Sequence, residues 1–438
     1  MDLGEALPDV RRPIPNEAGR AWVERLAASE CPALTTRRKR RAERTGASHD
    51  PIVWTEARGA NVLDADGNRY VDMTSGFGVA FIGHGHPAVV EAVRRQAGTL
   101  MHALGDLHPS TVKIELLERL CRLSPWDDAR AMLSLSGADA ITAALKTAML
   151  ATGKPGVITF EGSYHGLSYG PLAVSGYSDR FAKPFVEQLG TRAHFAHWPR
   201  SRDEVSAALA SLPNDLSAFG AVIFEPIQGR GGVRFPPAGF LEAVVERARA
   251  HGLVVIADEV LSGLGRCGTW WRSVQAGLAP DLLCVGKALG GGLPVSACLG
   301  SETVMRAWGA PDQEAIHTGT FFGDPLGAAA ALASLDVIEK EDLLTRAKES
   351  GDALALAIRE ASPAGVTEVR HEGMMVGLQM REPLDGLRIA RALLERGYLV
   401  LPAGAQADVV QLTPPVCLTG AQREGFVTAL SSSAGAGV

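Results

Sequence analysis

The chain has 438 residues, 46% of them apolar and 21% charged, with a formal charge of −6. That length exceeds a single compact core, that composition excludes a disordered polymer, and that charge excludes a general pull toward nucleic acid or anionic lipid. No apolar run is long enough to span a bilayer, and the proline-broken opening MDLGEALPDVRRPIP carries no secretory signal. The six cysteines (31, 121, 267, 284, 298, 417) lack CxxC spacing, so reduced core thiols, no metal site and a cytoplasmic location are expected.

In chain order, an N-terminal segment (1–84) holds a helix at EAGRAWVERLAAS (17–29) and a basic run, RRKRRAER (37–44), read as a solvated helical face. NVLDADGNRYVDM (61–73) predicts a hairpin turning at Asp66-Gly67. A large domain (85–330) follows, with an amphipathic helix at HPAVVEAVRRQAGTL and strands at GVITF (156–160), AVIFEP (221–226), LVVIADEV (253–260) and DLLCVGK (281–287). Helical stretches such as FLEAVVERARAHG separate these near-continuous apolar strands, which predicts an α/β fold with a mostly parallel sheet covered on both faces. A smaller α+β domain (331–438) runs through GYLVLPAG and VVQLTPPVCLT, reached through the helix LGAAAALASLDVIEK (326–340) and ending in a loose Ser/Gly/Ala tail from 431.

Ligands of open α/β sheets collect beyond the carboxyl ends of the strands. Glu225, Asp258, Glu259 and Lys287 each follow an apolar strand, so they predict either one lined crevice or a buried ion-pair network. SLSGADA (134–140) opens a helix with small residues, a ready anion site or an ordinary cap. HTGTFFGDP (317–325) is a second loop of this kind, and FEGSYHG (160–166) puts Tyr164 and His165 in a glycine-rich turn. A strand-end lysine in apolar surroundings can form a Schiff base, an aspartate can hold a ring nitrogen protonated, and an aromatic can stack on the ring. Together with a phosphate site, these are the parts pyridoxal phosphate needs.

Seven stretches in this order resemble the class III (ω-) aminotransferases of the fold type I pyridoxal-phosphate enzymes: GANVLDADGNRYVDMTSGFGVAFIGHGHP, SGADA, YHG, EPIQGRGG, ADEVLSGLGRCG, PDLLCVGKALGGGLP and TGTFFGDP. The resemblance covers nearly all of 50–420 and implies a mixed, mostly parallel seven-stranded sheet in the large domain. It implies that Lys287 carries the Schiff base and moves the proton, and that Asp258 pairs with the pyridinium nitrogen. Val260 and Tyr164 would flank the ring, while Ser136, Gly137 and Ala138 would hold the phosphate. Glu225 and His165 would lie around Asp258, and Thr320 would reach the phosphate of a neighbouring subunit, making a homodimer. Phe77, Trp54 and Gln411 are expected in the substrate pocket.

Four positions depart from the resemblance: Ala138 and Leu261 stand where a hydroxylic residue and a glutamine are common, Asp324 where an asparagine is, and Gln411 where many members carry a carboxylate-clamping arginine. The expected reaction moves an amino group from an ω-amine or amino acid to a keto acid or aldehyde. A racemase or epimerase of the same family is the alternative, and a non-catalytic relative is a third reading that the presence of both Lys287 and Asp258 disfavours.

Overall fold

The computed structural model describes residues 3–46, 50–309 and 314–434. Seven strands form its central sheet: β1 (Ala129–Ser134), β2 (Gly156–Phe160), β3 (Arg192–Ala196), β4 (Phe219–Phe224), β5 (Val254–Asp258), β6 (Leu282–Val285) and β7 (Ser296–Ser301). Their spatial order is β1-β7-β6-β5-β4-β2-β3. The run from β6 to β3 is parallel, and β7 is antiparallel to both of its neighbours.

Successive residues of a strand face opposite sides of the sheet, and the two hydrophobic cores divide accordingly. Ile223, Ile256, Cys284 and Cys298 pack with Ala140, Ile141 and Ala144 of the helix Gly137–Thr152. Phe224, Val255, Ala257, Leu283 and Leu299 pack on the other side with Phe240 and Val244 of the helix Phe240–Ala250 and with Leu335 of the helix Pro325–Lys340. That alternation decides which strand-end side chains share a crevice. Glu225 continues the face of Ile223 and Asp258 the face of Ile256, so both emerge beside the start of the helix Gly137–Thr152. Glu259 leaves on the opposite side.

The expected hairpin forms, with Asn61–Asp64 antiparallel to Arg69–Asp72 and the Asp64 side chain accepting from the Asp66 and Asn68 backbone N–H groups. Tyr398–Leu399 pairs in parallel with Arg69–Asp72, so the N-terminal strands share a sheet with the C-terminal part of the chain. A further sheet joins Val366–Glu372, Met375–Met380, Val409–Leu412 and Leu401–Ala403. The basic run lies in the helix Pro32–Thr45, mostly exposed.

Two expectations fail. The tail is not loose from 431, because the helix Gly420–Ala434 continues through it. Phe426 and Leu430 anchor that helix in the core, and the hydroxyls of Ser431, Ser432 and Ser433 donate to carbonyls four residues back. Residues 435–438 of the expected tail lie outside the described residues. The cysteines are free, but only Cys267, Cys284 and Cys298 are buried, and Cys31 is exposed. Among the described residues no helix is long and apolar enough to cross a membrane, and no cluster of three His, Cys, Asp or Glu side chains is placed to hold a metal ion.

Candidate active site

Asp258, the last residue of β5, is buried, and its Oδ2 accepts from His165 Nδ1 at 2.7 Å. Its Oδ1 accepts the Val260 N–H at 3.1 Å, which leaves acceptor capacity on the carboxylate. A carboxylate can only accept, so the imidazole carries its proton on Nδ1; its buried Nε2 has no partner among the described residues.

Glu225 follows β4 and is buried, with Oε1 accepting from Tyr164 N (2.8 Å) and Oε2 from Gly229 N (2.9 Å). One side chain thereby fixes both the Tyr164 turn and the loop that continues through Arg230. Burial, reinforced by the nearby Asp258 charge and opposed by His165 and the two backbone donors, raises the Glu225 carboxyl to about 7.

Lys287 does not end its strand, since β6 stops at Val285. It opens a tight turn, Lys287–Gly290, with φ of +42°, a region non-glycine residues rarely occupy. Its amine makes no hydrogen bond or ion pair with a described residue. Burial lowers its pKa, against the raising effect of Asp258 and Glu225, and Arg266 and Arg230 lower it further.

The backbone closes tightly around this lysine. A Cβ on Gly78 would stand 3.4 Å from Lys287 Cδ and 2.7 Å from Leu261 Cδ1. A Cβ on Gly137 would stand 2.8 Å from Val260 Cγ1, which places Val260 against the opening of the helix Gly137–Thr152. Ser136 caps that helix, accepting from Asp139 N at 3.2 Å, while the Gly137 and Ala138 N–H groups donate to no described residue. Tyr164, His165, Glu225, Val260, Asp258, Lys287 and the Ser136–Ala138 turn therefore converge on one crevice.

Other expected residues fall elsewhere. Glu259 accepts from Ser262 Oγ and from Ser273 N and Oγ on the far side of the sheet, so it does not line the crevice. Trp54 and Phe77 share a cavity of about 360 Å³ with Arg41 and Leu401, and Phe77 is 68% exposed with φ of +65°. Gln411 does not line that cavity. It lies on the face of its strand that carries Val409, whose Cγ2 is 3.1 Å from where a Gly232 Cβ would be, so it faces the loop after Glu225. Thr320 is exposed. Asp324 caps the helix Pro325–Lys340, its Oδ1 accepting from Gly327 N at 2.8 Å.

Two arginines in glycine-rich stretches escaped the sequence reading. Arg266 is fully buried, pairs with no carboxylate among the described residues, and donates to the carbonyls of Pro414 (2.5 Å), Met374 (3.3 Å) and Gly78 (3.4 Å). It ties the Phe77 loop to the C-terminal sheet, and burial lowers its pKa to about 10. Arg230 stands with its guanidinium carbon 4.6 Å from the Tyr164 ring centroid.

The family description "Aminotransferase class-III" matches residues 43–433. The chain belongs to the class III aminotransferases. This aminotransferase is 37% identical over 380 residues to the acetylornithine aminotransferase of Mycolicibacterium smegmatis, covering 87% of this chain and 93% of that one. It is 33% identical to the acetylornithine aminotransferase of Methanosarcina mazei, covering 87% and 92%. Among solved structures it matches an amine transaminase from an uncultivated Pseudomonas species in its PLP-bound, internal aldimine form. That match has a TM-score of 0.81 and 29% identity, covering 88% of this chain and 94% of the other. The enzyme thus transfers amino groups with pyridoxal phosphate, on the fold type I architecture.

Proposed function

We propose that the crevice around Lys287 is where this aminotransferase holds its cofactor and reacts its donor. The residues fit the group. Asp258 has a free acceptor site beside His165, the Gly137 and Ala138 N–H groups are unspent at the positive end of a 16-residue helix, and Lys287 carries an unpaired amine between them. When bound, pyridoxal phosphate supplies an electrophilic carbon and an electron-withdrawing ring.

The protein's own groups do the rest. Asp258, oriented by the His165 hydrogen bond, would pair with the ring nitrogen through its remaining acceptor capacity. Val260 and Tyr164 would flank the ring, and Glu225 fixes Tyr164 by its backbone. Lys287, its pKa lowered by burial, would supply the amine that holds the cofactor and would move the proton at the substrate carbon. Ser136 orders the helix opening that receives the phosphate, and Trp54 and Phe77 wall the entrance cavity. Leu261, packed against the Gly78 and Gly229 positions, contributes bulk where a glutamine would contribute a hydrogen bond.

The donor is an ω-amine or amino acid and the acceptor a keto acid or aldehyde, a reading supported by relatives named for acetylornithine and for amines. The enzyme works as a cytoplasmic homodimer in which Thr320 reaches the partner's phosphate. Exposed Met101, Leu104, Leu107, Ile316 and Phe321 support this, since His102 and Phe321 touch at 5.2 Å and bring the two segments into one apolar patch.

The observation that carries the proposal is the unpaired, strained lysine two residues beyond β6. Lys287→Ala is expected to abolish the visible absorbance of lysine-bound cofactor. Wild-type enzyme mixed with donors alone is expected to pass stoichiometrically to the aminated cofactor. Persistence of the band in the variant overturns the site. A donor panel that never shifts the spectrum, while an enantiopure amino acid loses its rotation, overturns transfer in favour of racemisation.

A further inference from the structure

Arg230 has an environment that no role assigned so far explains. Its guanidinium carbon lies 4.6 Å from the ring centroid of Tyr164, 4.9 Å from that of Tyr177 and 5.7 Å from that of Phe181. The rings brace one another, with Tyr164 and Tyr177 edge to face at 6.2 Å and Tyr177 and Phe181 tilted at 6.1 Å. The loop beneath is tied down as well. Arg230 O accepts from Gly404 N at 3.1 Å, and Gly404 O accepts from Tyr177 Oη at 3.1 Å. Gly229, one residue earlier, is held by Glu225.

Within this cage Arg230 Nε is buried with no hydrogen-bond partner. Among the described residues no carboxylate comes within ion-pair distance of the guanidinium. The two acids of the crevice are already engaged, Glu225 by two backbone N–H groups and Asp258 by His165. Stacking on aromatic rings satisfies the faces of a guanidinium but none of its five N–H donors, which lie in its plane. A half-buried guanidinium whose Nε is buried and whose faces are taken up by rings, with no anion beside it, is a ready receptor for an anion.

The charge also reaches the reacting centre, since Arg230 is among the groups that depress the Lys287 amine. The strand position where a carboxylate-clamping arginine was looked for holds Gln411 instead, and Gln411 faces the very loop on which Arg230 stands.

We propose that Arg230 is the carboxylate clamp of this enzyme, its planar fork receiving the carboxylate of an amino-acid or keto-acid substrate above the Tyr164 face of the site. The inference rests on the transaminase reading and sharpens it, because it places substrate carboxylate recognition on the loop after Glu225. Two parallel N–H donors suit a carboxylate in bidentate geometry, and the aromatic cage restricts the rotation that a free arginine would lose on binding.

The test uses holoenzyme, with L-2-aminobutyrate and 4-aminobutyrate as donors, and propylamine, which lacks the carboxylate of either. In Arg230→Gln, kcat/KM for whichever aminobutyrate the enzyme accepts is expected to fall about 100-fold, the size found on truncating one partner of a buried charged pair, while propylamine changes less than about 3-fold. Arg230→Lys, which keeps the charge but not the fork, is expected to fall between. Valerate, which carries the carboxylate and no amine, is expected to bind the variant about 100-fold more weakly by calorimetry. Equal losses for amine and amino acid, or unchanged valerate binding, overturn the clamp and leave the cage a packing device. If wild-type enzyme transfers from none of the three donors, the proposed donor class is what fails, and valerate binding still decides on Arg230.

Discussion

Glu225→Gln isolates a single buried charge. The wild-type carboxyl is raised from 4.5 to about 7, with burial as the leading cause. The folded state therefore binds this proton more tightly than the unfolded chain does. Its contribution to stability is fully present below the unfolded pKa and is lost as pH rises through the folded pKa. A rise of that size corresponds to roughly 3 kcal/mol. Glutamine does not titrate, but it offers only one acceptor oxygen to the two donors, Tyr164 N and Gly229 N. Its amide must face the other N–H, at a cost of about 1–3 kcal/mol at every pH. The difference in unfolding free energy between variant and wild type is thus expected to move in the variant's favour by about 3 kcal/mol between pH 4.5 and 8. The assay is urea unfolding of cofactor-stripped protein at pH steps across that range, where titrating groups that do not interact with residue 225 cancel between the two chains. A gap that stays constant with pH refutes the assignment of a raised pKa to Glu225.

Leu261 is confined between two loops, with Cδ1 2.7 Å from a Gly78 Cβ position and Cδ2 2.4 Å from a Gly229 Cβ position. Gly229→Ala is expected to cost about 1–3 kcal/mol by overpacking. Adding Leu261→Ala is expected to restore at least about 1 kcal/mol of the summed cost in thermal unfolding, and strict additivity refutes the contact. For the dimer, sedimentation is expected to show twice the 46.1 kDa chain. Leu107→Glu, in the most exposed part of the apolar patch, is expected to promote dissociation on dilution, and a wild-type monomer refutes the assembly.

Much of the sheet was legible because its central strands are buried on both faces and so read as unbroken apolar runs. Val254–Asp258 and Leu282–Val285 are of this kind, with every residue buried. The edge strand Arg192–Ala196 is only partly buried and carries an arginine and a histidine, so its pattern matched no template. Adjacent acids Asp258 and Glu259 look equivalent in sequence, and only the pleat separates a crevice carboxylate from one locked on two serines. The two arginines were invisible for a related reason. Among glycines an arginine reads as solvated, and nothing local reveals the three carbonyls that converge on Arg266 from distant segments, or the three rings of residues 164–181 that pack around Arg230. Lys287 was found because its apolar approach is local, but its left-handed backbone was not, since a lysine ahead of an alanine and a leucine carries no local signal for a positive φ. The helical C-terminus was missed because composition weighed the serines and not Phe426 and Leu430 beneath them.

The antiparallel strand β7 also governs how the site comes into being. As the edge strand, β1 pairs only with β7, in the register Ser134 to Ser296, and Ser296 Oγ donates to Ser136 O at 2.7 Å across a separation of 160 positions. The turn that opens the anion-binding helix is therefore synthesised early and left without its strand partner until the segment carrying Lys287 has folded back beside it. Pairing of such high contact order is slow and comes late. The helix opening consequently gains its strand partner only when β7, which begins nine residues beyond Lys287, docks between β1 and β6.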